Sequence, residues 1–207
     1  LQFCGFEVME DALPLLWLGT DGPVAVGVQS GWNPVGTPGT VTEVDGNVVI
    51  SIDGEPALGF FQRYFGDQHE PVPQYPLCVE QAGGGLCLRA PMAYDASGRV
   101  VFAGDVPAGA TVRLSDADRH GILEGSSASV REALQAAHGP ALMLAFSCAA
   151  RKHVLGTRTA EEIDRITALT GALPVAGFYG YGEFLVRNGV ATFHNETLIT
   201  IALGGAA

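Results

Sequence analysis

The stretch that decides the fold is Ala141-Leu142-Met143-Leu144-Ala145-Phe146, a run of six apolar residues that leads directly into Ser147-Cys148. A strand that is apolar on both faces is typical of a sheet covered on both sides, as in α/β proteins. Ser147 and Cys148 then stand at the carboxyl end of that strand, the edge at which ligands bind in open α/β sheets. The run therefore predicts a central strand and a place for a site.

The segments on either side of this run predict alternating helices and strands. Ser129-x-x-Glu132 and Thr159-x-x-Glu162 fit capping boxes, which indicate one helix beginning at each of the two motifs. Further strands are predicted at Leu173–Gly177 and at Thr197–Leu203. Because a capped helix connects Ala141–Phe146 to Leu173–Gly177, we expect these two strands to be parallel, central neighbours of one sheet.

The middle of the chain is rich in β-forming residues that are separated by turn signals. Asp45-Gly46 is a two-residue hairpin signal, whereas Glu55–Phe65 carries apolar residues at helical spacing and Gly66–Pro76 reads as a loop or linker. The predicted strands are Val24–Gln29, Thr40–Val44, Asn47–Ile52, Leu77–Gln81, Leu86–Ala90, Arg99–Ala103 and Thr111–Leu114. The sequence therefore predicts an α/β fold, a mixed-sheet α/β sandwich with an antiparallel β-rich middle segment.

The amino-acid composition limits the classes of molecule that this protein is expected to bind. The 207 residues carry a formal net charge of −11, and 47% of them are hydrophobic. An acidic surface repels phosphate groups, which argues against nucleic acid and anionic membranes as partners. No apolar run approaches the roughly 20 residues that a membrane-spanning helix needs, so membrane insertion is not expected. Four cysteines without a Cys-x-x-Cys pair indicate free thiols and a cytoplasmic protein.

A glycine-rich segment with two tyrosines, Gly177-Phe178-Tyr179-Gly180-Tyr181-Gly182-Glu183, is the first candidate site. One interpretation is a tight turn between two strands. The other is a binding loop in which Tyr179 and Tyr181 wall a pocket, because a plain turn has little use for two large side chains with hydroxyl groups. Gly182 would then present backbone amides to a ligand, and Glu183 would accept from an ammonium or amide group.

Further candidate residues lie in two other segments of the chain, around Cys148 and around His194. Cys148 could act as a nucleophile, but a free cysteine at a strand end is more often a packed side chain. Arg151 could pair with a carboxylate. His194 has no partner at metal-ligand spacing, so no metal site is expected, although a single histidine suffices as an axial haem ligand. Alternatively, His194 and Asn195 hold their loop by hydrogen bonds.

Several of these segments together resemble the FIST family, intracellular sensory domains of signalling proteins. The resemblance is carried, in chain order, by Ser30–Gly36 (SGWNPVG), Phe146–Arg151 (FSCAAR), Gly177–Glu183 (GFYGYGE) and Phe193–Leu198 (FHNETL). It implies that residues 1–53 resemble the end of a FIST N-terminal domain and residues 54–207 a FIST C-terminal domain. The family motif falls on Ser147, Cys148, Arg151, Gly177, Tyr179, Gly182, Glu183, Phe193, His194 and Asn195.

The resemblance implies a function in small-molecule sensing without catalysis. Amino acids have been proposed as ligands of such domains, and some members are described as haem-containing nitric-oxide sensors. The leading hypothesis is therefore a cytoplasmic sensory module that binds a small polar ligand and acts through a separate signalling protein such as a kinase or cyclase. The alternatives are a haem-dependent sensor that uses His194, a hydrolase or transferase that uses Cys148, and a pure interaction domain.

Overall fold

The computed structural model describes residues 2–67, 70–72, 74–81, 85–187 and 189–204. The strands are β1 Gln2–Cys4, β2 Glu7–Met9, β3 Val24–Gln29, β4 Asn33–Asp45, β5 Val48–Ile52, β6 Glu55–Pro56, β7 Leu77–Glu80, β8 Leu86–Arg89, β9 Pro91–Tyr94, β10 Val100–Phe102, β11 Thr111–Asp116, β12 Pro140–Cys148, β13 Val175–Gly180, β14 Glu183–Arg187, β15 Val190–His194 and β16 Leu198–Gly204. The helices are α1 Ala57–Phe65, α2 Arg119–Ala136, α3 Ala149–Leu155 and α4 Ala160–Thr170.

The site is built on a mixed four-stranded sheet of order β13-β12-β16-β3. β12 and β13 pair in parallel, with Ser147 opposite Tyr179, while β16 is antiparallel to both β12 and β3. Helices α2 and α4 cover one face, where Val130 and Ile166 pack on Met143. The predicted parallel pairing is confirmed, but the prediction that both strands are central is wrong for β13. That strand lies at the edge of the sheet.

The middle of the chain forms a second, antiparallel sheet of order β8-β7-β11-β4-β5-β10-β9, with β6 paired to β5. Helix α1 packs its aromatic face on this sheet, and the rings of Phe61 and Phe102 lie 6.2 Å apart in the core. The predicted α/β fold with an antiparallel β-rich middle segment is therefore confirmed. Parts of the predicted 66–76 loop and of the glycine run at 83–85 lie outside the described residues.

Both capping boxes predicted from the sequence are wrong, although both helices exist. Helix α2 begins ten residues earlier than predicted, at Arg119, and the Asp118 carboxylate caps it by accepting from the Gly121 amide. Ser129 lies inside α2, where its hydroxyl lies 3.0 Å from the Leu198 carbonyl oxygen on β16, to which it donates. At the start of α4 the Thr159 hydroxyl donates back to the Gly156 carbonyl. Both motif hydroxyls therefore serve tertiary or local contacts instead of caps.

The glycine of the Ser30-Gly31-Trp32 segment allows β3 to end directly against helix α2. Gly31 has a φ of +94°, and a β-carbon there would lie 2.3 Å from the Gly121 carbonyl oxygen. Gly125, one turn further along the helix, is equally close to the backbone of Gly31. This contact of backbone on backbone fixes the carbonyl of Ser30 at the centre of the site described below.

The tyrosine–glycine segment is mostly strand. Gly177 to Gly180 belong to β13, and only Tyr181 and Gly182 form the turn, which leads into a β14–β15 hairpin that the sequence patterns did not predict. Gly182 has a φ of +138°, and a β-carbon there would lie 2.6 Å from the ring of Phe193. The predicted tight turn between two strands is therefore present at Tyr181-Gly182, but it is shorter than the glycine–tyrosine segment, because Gly177–Gly180 pair with β12.

Candidate functional site

An ion pair between two completely buried residues, Arg151 of α3 and Glu162 of α4, forms the centre of the site. Arg151 Nε and Nη2 lie 3.0 and 2.8 Å from Glu162 Oε1. Nη2 also donates to the Ile122 carbonyl and the Ser126 hydroxyl, at 2.9 and 2.7 Å, and Nη1 donates to the Ser30 carbonyl. The guanidinium group therefore ties α2, α3, α4 and the end of β3 together.

The other oxygen of Glu162 faces the sheet. Glu162 Oε2 accepts hydrogen bonds from the Tyr179 hydroxyl at 2.6 Å and the Ser147 hydroxyl at 3.1 Å, side chains that are direct neighbours on β13 and β12. Burial alone would raise the pKa of Glu162, but the Arg151 charge and the hydrogen bonds from Tyr179, Ser126 and Arg151 outweigh it and lower the pKa. Burial and the hydrogen bond to Glu162 raise the pKa of Tyr179. Glu162 is therefore a carboxylate and Tyr179 a neutral donor.

A cavity of about 260 Å³ lies between helix α4 and the edge strand β13, beside these groups. Its polar end is formed by Ser147, Glu162 and Tyr179. The remainder is mostly apolar, with Ile163 and Ile166 of α4, residues of β13, Ala145 of β12 and Leu198 of β16, and it includes Thr167. Mostly apolar walls with a few convergent polar groups are characteristic of small-molecule sites. The volume lies just below the range of about 300–1,000 Å³ typical for drug-sized ligands, so it suits a smaller molecule.

Two more buried acids lie beyond the carboxyl end of β12. Glu183 begins β14 and is 6% exposed, and Glu196 lies between β15 and β16 and is 0% exposed. Glu183 Oε2 accepts from the Thr197 hydroxyl at 3.0 Å, but Glu183 Oε1 and both oxygens of Glu196 have no hydrogen-bond partner among the described residues. Burial is the largest cause of the rise in the pKa of Glu183 to about 7 and of Glu196 to about 8.

Cys148 lies next to these acids. The thiol is 6% exposed. Burial, reinforced by the negative charges of Glu196 and Glu183, raises its pKa to about 11. A reactive cysteine needs a lowered pKa from a positive neighbour or a helix N-terminus. Although Cys148 precedes α3, the surroundings favour the neutral thiol.

His194 and Asn195 lie apart from the cavity at α4. His194 Nε2 is 2.7 Å from the Thr192 hydroxyl, and the side-chain oxygen Oδ1 of Asn195 accepts from the Ala90 amide at 3.3 Å. Burial and the positive charge of Arg89 lower the pKa of His194. These contacts hold the end of β15 against the second sheet.

One ring nitrogen of His194 is not available to a haem iron. An axial ligand must direct a free ring nitrogen at iron, whereas Nε2 is engaged by Thr192. The cavity of about 470 Å³ beside the ring is lined by apolar side chains, including Val28, Trp32 and Leu88, and by polar groups of Gln29, Ser30 and Thr197. Within the described part of the chain there is also no group of three or more His, Cys, Asp or Glu side chains arranged to hold a metal ion.

The structure brings only part of the predicted site together. Glu162 accepts hydrogen bonds from Ser147, Arg151 and Tyr179. Glu196 lies near Cys148 and Glu183. Tyr181 is 96% exposed and walls no cavity in the described part of the structure, and Gly182 shapes the turn against Phe193. A single pocket walled by both tyrosines and including Cys148, Glu183 and His194 is therefore not formed.

Glu162 and Glu196 are the functional candidates that the sequence patterns missed. Glu162 was interpreted as the acid of a capping box, and Glu196 lies inside the Phe193–Leu198 motif without a pattern of its own. A positive φ of 62° at Glu196, a non-glycine residue, accompanies its burial. Neither burial nor this backbone conformation can be read from the residue type.

Comparison with known proteins identifies the family. A family model described as "FIST C domain" matches residues 57–185, and one described as "FIST N domain" matches residues 1–55. The chain belongs to the FIST family. FIST domains are associated with sensory function in signal transduction. The match to the FIST C domain contains the paired strands β12 and β13, the Arg151–Glu162 ion pair and the cavity beside it.

The similar curated proteins are bacterial. Two proteins of Mycobacterium tuberculosis, from strains CDC 1551 / Oshkosh and ATCC 25618 / H37Rv and both described as uncharacterized, are 27% identical over 184 residues. The matched region is 82% of this chain and 48% of each relative, so the chain spans about half the length of the proteins it matches. No solved structure matches significantly. None of the described helices is both long and apolar enough to cross a membrane.

Proposed function

We propose that this FIST protein is a non-catalytic sensory module that binds a small ligand in the cavity between α4 and β13. The observation that carries the proposal is the combination, in one cavity, of apolar walls with the Ser147–Glu162–Tyr179 group at one end. A free amino acid with an aliphatic side chain matches a cavity that is polar at one end and apolar elsewhere, since its side chain would contact Ile163 and Ile166. Its ammonium group would approach the hydroxyl and carboxylate oxygens.

The same arrangement suggests how binding could be sensed. Glu162 is the common acceptor for side chains from α2, α3, β12 and β13. A ligand that competes for the Tyr179 or Ser147 hydroxyl would change the balance of hydrogen bonds among these elements. We propose that the module acts in the cytoplasm, which its four free cysteines support, and passes the change to a separate signalling protein such as a kinase or cyclase.

The two tyrosines of the segment offer a matched test of this site. A panel of free amino acids is first screened for the one that binds the wild type most tightly. We expect Tyr179→Phe to weaken the binding of that amino acid by about 1–3 kcal/mol, because the variant lacks a hydroxyl group at the polar end of the cavity. Tyr181→Phe removes a hydroxyl group from a side chain that is 96% exposed and should change nothing. Isothermal titration calorimetry of the wild type and both variants checks this. Absence of binding by every amino acid, or equal affinity in Tyr179→Phe, contradicts the proposal.

The non-catalytic part of the proposal leads to a prediction about Cys148. At neutral pH its thiol should react with iodoacetamide about a hundredfold more slowly than an exposed thiol, since its pKa is raised from 9 to about 11 and the side chain is buried. The exposed Cys4 provides the internal reference. Peptide mass spectrometry after timed alkylation measures both rates, and faster labelling of Cys148 than of Cys4 would favour a nucleophilic role instead.

A further inference from the structure

Glu183 and Glu196 are buried acids whose hydrogen-bonding capacity is largely unused. They are 6% and 0% exposed, and three of their four carboxylate oxygens have no partner among the described residues. Burying a carboxylate is costly unless it is paired with a charge or hydrogen-bonded. Glu162 shows the opposite case, since its two oxygens accept from four different side chains. The two acids therefore require a partner that Glu162 already has.

The groups packed around the pair do not supply that partner. Cys148 approaches from β12 and the Thr197 hydroxyl from the start of β16, and Thr197 already donates to Glu183 Oε2. Arg151 of α3 is the nearby cation, but its nitrogens bond to Glu162, Ser126 and two backbone carbonyls. The pair is consequently left with more hydrogen-bond acceptors than donors.

We propose that Glu183 and Glu196 bind a small protonated primary amine. A primary ammonium group has three N–H donors and one positive charge, and the number of its donors equals the number of unpartnered oxygens, Glu183 Oε1 and the two oxygens of Glu196. A divalent metal fits less well, because the described residues contain no group of three or more ligating side chains in suitable positions. The site goes beyond the proposed function, since neither glutamate lines the cavity between α4 and β13.

The turn above Glu183 offers a route for such a ligand. Gly180 has no side chain, and a β-carbon built on it would lie 3.7 Å from Glu183 Oε1. Tyr181 next to it is almost fully exposed, so its side chain does not anchor the turn by packing. A displacement of this glycine-flanked turn would uncover the carboxylate without breaking the Arg151–Glu162 ion pair, which belongs to α3 and α4.

Methylammonium chloride is a suitable probe, with tetramethylammonium chloride as the comparator of equal charge that has no N–H donor. We expect the wild type to bind methylammonium at pH 7.5 and not tetramethylammonium in isothermal titration calorimetry. Glu183→Gln and Glu196→Gln should each weaken binding about tenfold or more, because a hydrogen bond to a charged group is lost. Glu124→Gln, at an exposed glutamate of α2, serves as the matched control and should bind like the wild type.

A second measurement uses the wild type alone, so that a variant that fails to fold does not decide the outcome. Amine binding should release protons from the glutamate pair, and titrations in two buffers with different ionisation enthalpies measure that release.

Tyr179→Phe should retain methylammonium binding, which separates this site from the amino-acid cavity. Equal heats for the two cations, absence of proton release, or unchanged affinity in a folded Glu196→Gln variant would each overturn the proposal.

Discussion

Replacing Arg151 with methionine is expected to lower the free energy of unfolding by about 3–5 kcal/mol. Methionine fills much of the same space but leaves Glu162 as an uncompensated charge in a completely buried position. The variant also removes the donors to the Ser30 and Ile122 carbonyls. Urea unfolding followed by circular dichroism measures the loss.

The surface of the same helices provides the control for this prediction. Arg165 and Glu124 form an ion pair at 3.2 Å with 45% exposure of each side chain. Exposed pairs contribute about 0–1 kcal/mol, so Arg165→Met should lower stability by no more than that. The double variant Arg151→Met/Glu162→Leu removes both buried charges and should recover part of the loss. Similar small effects for Arg151→Met and Arg165→Met would show that the buried pair does not hold α3 and α4 together.

The parts of the fold that the sequence predicted correctly depend on local patterns. The apolar run before Ser147 identified β12, and the helical connection predicted parallel pairing with the next strand, which is confirmed. Asp45-Gly46 likewise located the β4–β5 hairpin. The limits of helix α2 could not be predicted in this way. Ser129 looks like a cap in sequence, but it is fully buried and pairs with Leu198, a residue 69 positions away.

The candidate site was predicted less completely, for the same physical reason. Ser147, Arg151 and Tyr179 were predicted site residues, and the structure places all three in hydrogen-bond contact with Glu162. Their common partner, Glu162, matched a local capping pattern equally well, and only tertiary packing decides between the two roles. Tyr181 illustrates the converse: the same residue type two positions from Tyr179 points into solvent, because β13 ends at Gly180 and the chain turns there.

Stability is also expected to fall as the pH rises from about 6.5 to about 8. Unfolded glutamates have a pKa near 4.5, whereas the pKa is raised to about 7 for Glu183 and about 8 for Glu196 in the folded chain. The folded state therefore holds protons that the unfolded state has released. The stability they contribute is fully present below pH 4.5 and is lost as the pH passes through 7 and 8. The expected decrease is about 2 kcal/mol over this range.

Other titrating groups act outside this window or in the opposite direction. The lowered pKa of Glu162 contributes stability above pH 4.5 that is lost in acid. Because the pKa of His194 is also lowered, its contribution to stability grows as the pH rises to about 6.5 and stays constant above that pH. Between about pH 4.5 and 6.5 the two raised glutamate pKa values outweigh the single histidine, so a maximum of stability near pH 4.5 follows. Urea unfolding at half-unit steps of pH measures the curve.

The glutamate pair can be isolated as the cause of the decrease above pH 6.5. Glu196→Gln should flatten the curve, because a neutral amide has no proton to lose, while the exposed Glu124→Gln should leave it unchanged. If the pair also binds amines, methylammonium should restore stability at pH 8, where the pair is ionised, more than tetramethylammonium does. A curve that stays level between pH 6.5 and 8 in the wild type would mean that the two carboxyl groups do not retain their protons in the folded chain.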